Sequence, residues 1–114
     1  MGVRSMTTLE KIQRFERYLE LTHGSADRTL DLVFDKLLER KCAELVQQRD
    51  ALRAELAAFE RQYRLASAEF FDKFRHGELG DATDFFDWSA TWQMYRSTLQ
   101  YLDVFSIESD IQRS

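Results

Sequence analysis

The sequence predicts an all-α protein, on three observations. It contains no proline, its internal glycines Gly24, Gly77 and Gly80 fall between periodic segments, and apolar residues recur every three or four positions along most of the chain. At 114 residues it is the size of a single domain. The predicted architecture is a long coiled-coil helix, with a shorter N-terminal helix and a C-terminal helical hairpin folding back on it.

Each element has its own local reason. Residues 1–6 read as a disordered extension or an expression remnant. Thr7 and Glu10 then form a Ser/Thr-x-x-Glu capping box that opens a helix over 7–22, with Ile12, Phe15, Leu19 and Thr22 on one face. His23-Gly24 ends it, and Ser25 is placed to cap the next helix, with Asp27 in its first turn.

No breaker interrupts residues 26–63, which predicts a rod of about 57 Å at ~1.5 Å per residue. Along it Leu38, Cys42, Leu45, Arg49, Leu52, Leu56, Phe59 and Tyr63 alternate at four and three residues, a heptad seam with one polar interruption. Such a rod is too long for its own short helices to cover. The expectation is a homo-oligomer formed through Leu38, Cys42, Leu45, Leu52, Leu56, Phe59 and Tyr63.

Beyond Tyr63 the composition turns aromatic and acidic. Ser67 is positioned to cap a short helix over 68–76 carrying Phe70, Phe71 and Phe74, and Gly77 offers a left-handed stop. Asp81 is expected to cap the last helix, 82–105, whose seam reads Phe85, Trp88, Trp92, Tyr95, Leu99, Leu102. Residues 106–114 are polar and read as a frayed tail.

Chemistry is harder to find. There is no glycine-rich phosphate loop, no nucleophile elbow and no His-x-x-x-His pair, and His23 and His76 each adjoin a glycine at a helix end. Glu78, Asp81, Asp84 and Asp87 do not match a calcium-loop spacing and are accounted for by a helix start. Cys42 sits on the apolar seam as a small hydrophobe. No catalytic, cofactor or metal site is expected, and the reading is of a protein that is not an enzyme.

Arg4, Lys11, Arg14 and Arg17 are interleaved with Glu10, Glu16 and Glu20, and the net charge is −4, which argues against autonomous DNA binding. No apolar run is long enough for a membrane span or a signal peptide, and a single cysteine fits a reducing compartment, so a cytoplasmic location is expected.

The stretch Tyr63-Arg64-Leu65, Ser67-Ala68-Glu69-Phe70-Phe71, Phe74, Gly77-Glu78-Leu79-Gly80-Asp81 and Asp84-Phe85-Phe86-Asp87-Trp88-Ser89-Ala90, ending near Met94-Tyr95, resembles a motif of small prokaryotic proteins of toxin–antitoxin gene pairs. The resemblance covers residues of about 63–95 and implies an antitoxin-like protein that silences a cognate toxin, such as a ribonuclease, by direct contact. The residues themselves suggest where: Phe86 and Met94 lie off the main seam of the last helix, and Glu78, Asp81 and Asp84 stand at its start. An apolar strip with an acidic rim would suit a partner with a basic rim around an apolar pocket. The alternative is a self-associating coiled-coil structural or adaptor protein.

Overall fold

The computed structural model describes residues 3–22 and 27–105. Among them are four α-helices and no strand: α1 (Thr8–Leu21), α2 (Arg28–Tyr63), α3 (Ser67–Arg75) and α4 (Thr83–Phe105), preceded by a 3₁₀ turn at Val3–Ser5. The chain divides into two compact units, Met1–Asp35 and Lys36–Ser114. The stop at His23-Gly24, the cap at Ser25 and the tail 106–114 lie outside the described residues.

The first unit is built from local signals. Thr7 Oγ1 accepts from the Glu10 N–H at 3.1 Å, and the Glu10 carboxylate accepts from the Thr7 N–H at 3.0 Å, so the capping box forms as read. Hydrogen bonding to the carboxylate, from the Thr7 N–H first and the Thr7 hydroxyl next, holds the Glu10 carboxyl below the ordinary carboxylate range. Residues 3–6, expected to be disordered, instead begin with the 3₁₀ turn, and Arg14 Nε donates to Met6 Sδ at 2.9 Å. Asp27 caps α2, its Oδ1 accepting from the Leu30 N–H at 2.9 Å. Phe15 meets Phe34 edge to face at 5.8 Å, yet α1 has no buried residue.

The second unit holds the core. Leu52 and Leu56 of α2, Phe70 of α3, and Trp88 and Tyr95 of α4 are buried together. Helix α4 runs antiparallel to α2. Tyr63 donates to Asp84 at one end, Arg53 to the Tyr95 hydroxyl and Gln48 to Thr98 in the middle, and the Cys42 thiol lies against the Phe105 carbonyl at the other end.

This pairing corrects the reading of the α2 seam. Leu45, Leu52 and Leu56 are buried within the chain itself, while Leu38 remains 47% exposed. The 23-residue α4 matches the stretch Cys42–Tyr63 in length, so a single returning helix does cover it. Arg49 sits half-buried and pairs with the neighbouring Asp50 at 3.1 Å.

The seam of α4 forms as predicted at Phe85, Trp88, Trp92 and Tyr95 and departs from prediction at Leu99. The buried residues are Trp88, Ser89, Thr91, Tyr95 and Thr98, while Leu99 is 40% exposed. Each threonine hydroxyl is satisfied within its own helix, and that of Thr98 also accepts from Gln48 of α2 at 2.9 Å. Thr91 donates to the Asp87 carbonyl and Thr98 to the Met94 carbonyl, each at 2.9 Å.

The turns between these helices are left-handed. Arg64, with φ of 52°, ends α2, and the Leu65 N–H reaches back to the Glu60 carbonyl. Gly77, with φ of 71°, ends α3 as predicted, and the Glu78 N–H bonds the Lys73 carbonyl at 3.0 Å.

Because Leu56 is 4% exposed at the centre of this core, Leu56→Ala should destabilise the fold by about 2–5 kcal/mol. Urea denaturation followed by circular dichroism measures this. A loss well below that range would show that the core relaxes around the missing side chain.

Candidate functional site

The corner formed by α3, its connection to α4 and the first turns of α4 carries most of the residues that the sequence marks for partner binding. What holds the corner is Trp88, which is wholly buried. A buried indole N–H needs an acceptor, and Trp88 Nε1 donates to Ser67 Oγ at 2.9 Å. Ser67 Oγ in turn donates to Glu60 Oε2 at 2.7 Å, and the same oxygen accepts from the Ser67 N–H at 2.9 Å. Ser67 is therefore not the cap of α3. The cap position belongs to Ala66, which makes no side-chain cap bond, and Glu60 on α2 does the capping from seven residues away.

Aromatic rings complete the support. Phe70 stacks on Trp88 with centroids 3.8 Å apart and planes 5° from parallel, and Phe59 and Tyr63 lie nearly parallel to the same indole. Phe74 meets Phe85 and Phe86 edge on.

On this frame the five marked residues separate. Phe86 is 56% exposed, its ring 5.4 Å from Phe74 and perpendicular to it within 2°. Glu78 and Asp81 are exposed in the connection before α4. Asp81 does not cap α4, because the helix starts at Thr83 and the cap position falls on Ala82.

Asp84 is turned away from the rim. It is half-buried and accepts from the Tyr63 hydroxyl at 2.7 Å, with Gln62 Nε2 at 3.5 Å. Met94, 49% exposed, faces a groove between α2 and α4 with Ala58, Phe59 and Ala90, flanked by Glu55 and Asp87. The structure thus seats Phe86 against Phe74, leaves Glu78 and Asp81 exposed in the connection that precedes its helix, and places Met94 in the groove beside α2.

Sequence reasoning missed Glu60 and Ser67 as the support of Trp88, and Glu55 as a groove acid. Glu55 belongs to a heptad series with Lys41 and Gln48, a signal that was open to a reading of the face beside the seam.

The Tyr63 phenol is pushed above its ordinary value, first by its hydrogen bond to the Asp84 carboxylate, then by burial and by the charge of Asp84. Among the described residues, no group of three His, Cys, Asp or Glu side chains is placed to hold a metal ion. None is a helix long and apolar enough to cross a membrane. Compared with known proteins, the chain matches no family model, no curated protein and no solved structure.

Two predictions follow from the support of the corner. Ser67→Ala leaves the Trp88 indole N–H buried without its acceptor and should cost about 1–3 kcal/mol, measured by denaturation with tryptophan fluorescence. An unchanged midpoint would mean that another group accepts the bond.

The second concerns alkaline pH. A folded-state pKa raised above that of the unfolded chain contributes stability that is complete below the ordinary tyrosine value near 10 and disappears as pH rises through the folded value. Thermal melts should show this alkaline loss, and Tyr63→Phe should reduce it. Identical profiles for the two proteins would remove Tyr63 as its source.

Proposed function

We propose that the protein is a non-catalytic binding module that holds a protein partner at the corner of Phe86, Glu78 and Asp81, as an antitoxin holds its toxin. The observation that carries this reading is Phe86. A phenylalanine more than half exposed, backed edge-on by Phe74 and preceded in the chain by two exposed carboxylates, suits an anchor with an electrostatic guide near it. A partner that fits has an apolar pocket with a basic rim, the character of an RNA-handling surface. The resemblance of residues of about 63–95 to small prokaryotic antitoxins supports the assignment of that partner as a cognate toxin, such as a ribonuclease, met in the cytoplasm. The alternative, a coiled-coil adaptor built on the Leu38–Tyr63 seam, draws less support, since Leu45, Leu52 and Leu56 are buried within the chain.

The test is co-expression with the product of the adjacent gene. Phe86→Ala should weaken the complex by about 2 kcal/mol or more, as truncation of an interface anchor does, while leaving the melting temperature of the free protein nearly unchanged. Glu78→Lys with Asp81→Lys should slow association and flatten its salt dependence. A fall in thermal stability that tracks the loss of binding in Phe86→Ala would place this side chain in the core and end the proposal.

A further inference from the structure

The groove that Met94 faces continues past it. One stretch is lined by Glu55, Ala58, Ala90 and Met94, the next by Gln48, Met94, Ser97 and Tyr101, and the last by Lys41, Gln48, Tyr101 and Val104. Met94 joins the first stretch to the second, and Gln48 and Tyr101 join the second to the third, so one open groove runs along α2 and α4. Its exposed apolar side chains are Met94, Tyr101 and Val104, 49%, 53% and 69% accessible, and exposed Gln48 and Gln93 make its middle stretch polar.

We propose that this groove binds a second copy of the same chain, in an antiparallel two-fold pairing centred on Gln48. Three features of the groove argue for this occupant. The first is charge. Glu55 stands toward one end and Lys41 toward the other, each two helical turns from Gln48. A two-fold axis at Gln48 sets Lys41 of one copy opposite Glu55 of the other, twice. Lys41 is free to change partner, since its 3.1 Å bond to Glu44 is an exposed helix-surface pair.

The second feature is shape. On α4, Met94 and Val104 are equidistant from Leu99, and so are Ser97 and Tyr101. The same axis therefore places Tyr101 over the small Ser97 and Met94 over Val104, filling each gap with a larger side chain.

The third is register. Gln48 donates to Thr98 at 2.9 Å, which puts the centre of the α2 series within one residue of the centre of the α4 series. One axis thus serves both helices and brings the two Gln48 amides together, as a central polar residue does when it sets register in helical pairings. The contact is isologous and closed, so it yields a dimer and no further growth. It lies beyond the binding reading above and does not depend on it, because Phe86, Glu78 and Asp81 fall outside the paired stretch.

The experiment uses the full chain. Light scattering after gel filtration should give the mass of a dimer at micromolar concentration. In a Cys42→Ser background, Gln48→Cys should form a covalent dimer with oxidised glutathione, two thiols giving one disulfide, whereas Arg61→Cys, exposed on the opposite face of α2, should not. Lys41→Glu and Glu55→Lys should each weaken the dimer about tenfold or more, and the double exchange should restore it. Circular dichroism confirms that each variant is folded. A folded wild-type protein of monomeric mass overturns the proposal. So does a dimer that neither cross-links at residue 48 nor responds to the charge reversals.

Discussion

The second unit depends on how one buried indole is satisfied. Trp88 has no exposed surface, and a tryptophan at that depth contributes a large apolar area only if its N–H finds an acceptor. Ser67 supplies one, and Glu60 fixes Ser67 by receiving both its hydroxyl and its backbone N–H. Three helices meet in that short chain of hydrogen bonds, the end of α2, the start of α3 and the second turn of α4. The carboxylate therefore has two functions, since it orients the acceptor of Trp88 and occupies an N-terminal donor of α3 that no local side chain reaches. With these set, the Phe70 ring lies on the indole at 3.8 Å and ties α3 to α4, which runs back along α2.

The register of that return is held by polar contacts spread along the pair. Tyr63 to Asp84, Arg53 to Tyr95 and Gln48 to Thr98 join positions whose separation shrinks or grows regularly along the helices, as an antiparallel pair demands. Leucine contacts tolerate sliding, whereas a hydroxyl paired with an amide or a guanidinium does not. Among the described residues, no buried side-chain nitrogen or oxygen lacks a hydrogen-bond partner. A core with Ser67, Ser89, Thr91 and Thr98 buried in it is viable on that condition alone.

How much of this was legible in the sequence depends on the range of the cause. The capping box at Thr7 and Glu10 and the left-handed stop at Gly77 are local, and both form as read. The all-helical class, with a long helix and a C-terminal hairpin returning on it, was equally legible, because spacing and breakers decide it. Periodicity reports which face of a helix is apolar and leaves open what covers that face. The α2 seam was thus read as a contact between chains when α4 covers it. The seam of α4 was legible at Phe85, Trp88, Trp92 and Tyr95, which form or pack against the core, and failed at Leu99, where burial falls instead on the neighbouring Thr98, whose hydroxyl bonds its own helix. At the site, Phe86 was legible as a residue left over by the seam. The turning of Asp84 toward Tyr63 was not, since its partner lies 21 positions away in the chain.

Helix α4 then has to serve three directions at once. Trp88, Thr91, Tyr95 and Thr98 face inward, Phe86 stands at the acidic corner, and Met94, Tyr101 and Val104 line the groove beside α2. A 23-residue helix can do this because its faces are separated along its length as well as around its axis. The corner occupies the first turns and the groove opens beside it at Asp87, but its centre at Gln48 is level with Thr98, about three turns along α4 from Phe86, so the two share no neighbour among the contacts described above. Substitutions at sites so separated have additive effects, whereas residues in one hydrogen-bond network do not. Additivity between Phe86 and the groove, set against strong coupling between Ser67 and Glu60, is therefore the energetic signature of this arrangement. A double-mutant cycle on each pair distinguishes a corner that is a surface feature from one that is an extension of the core.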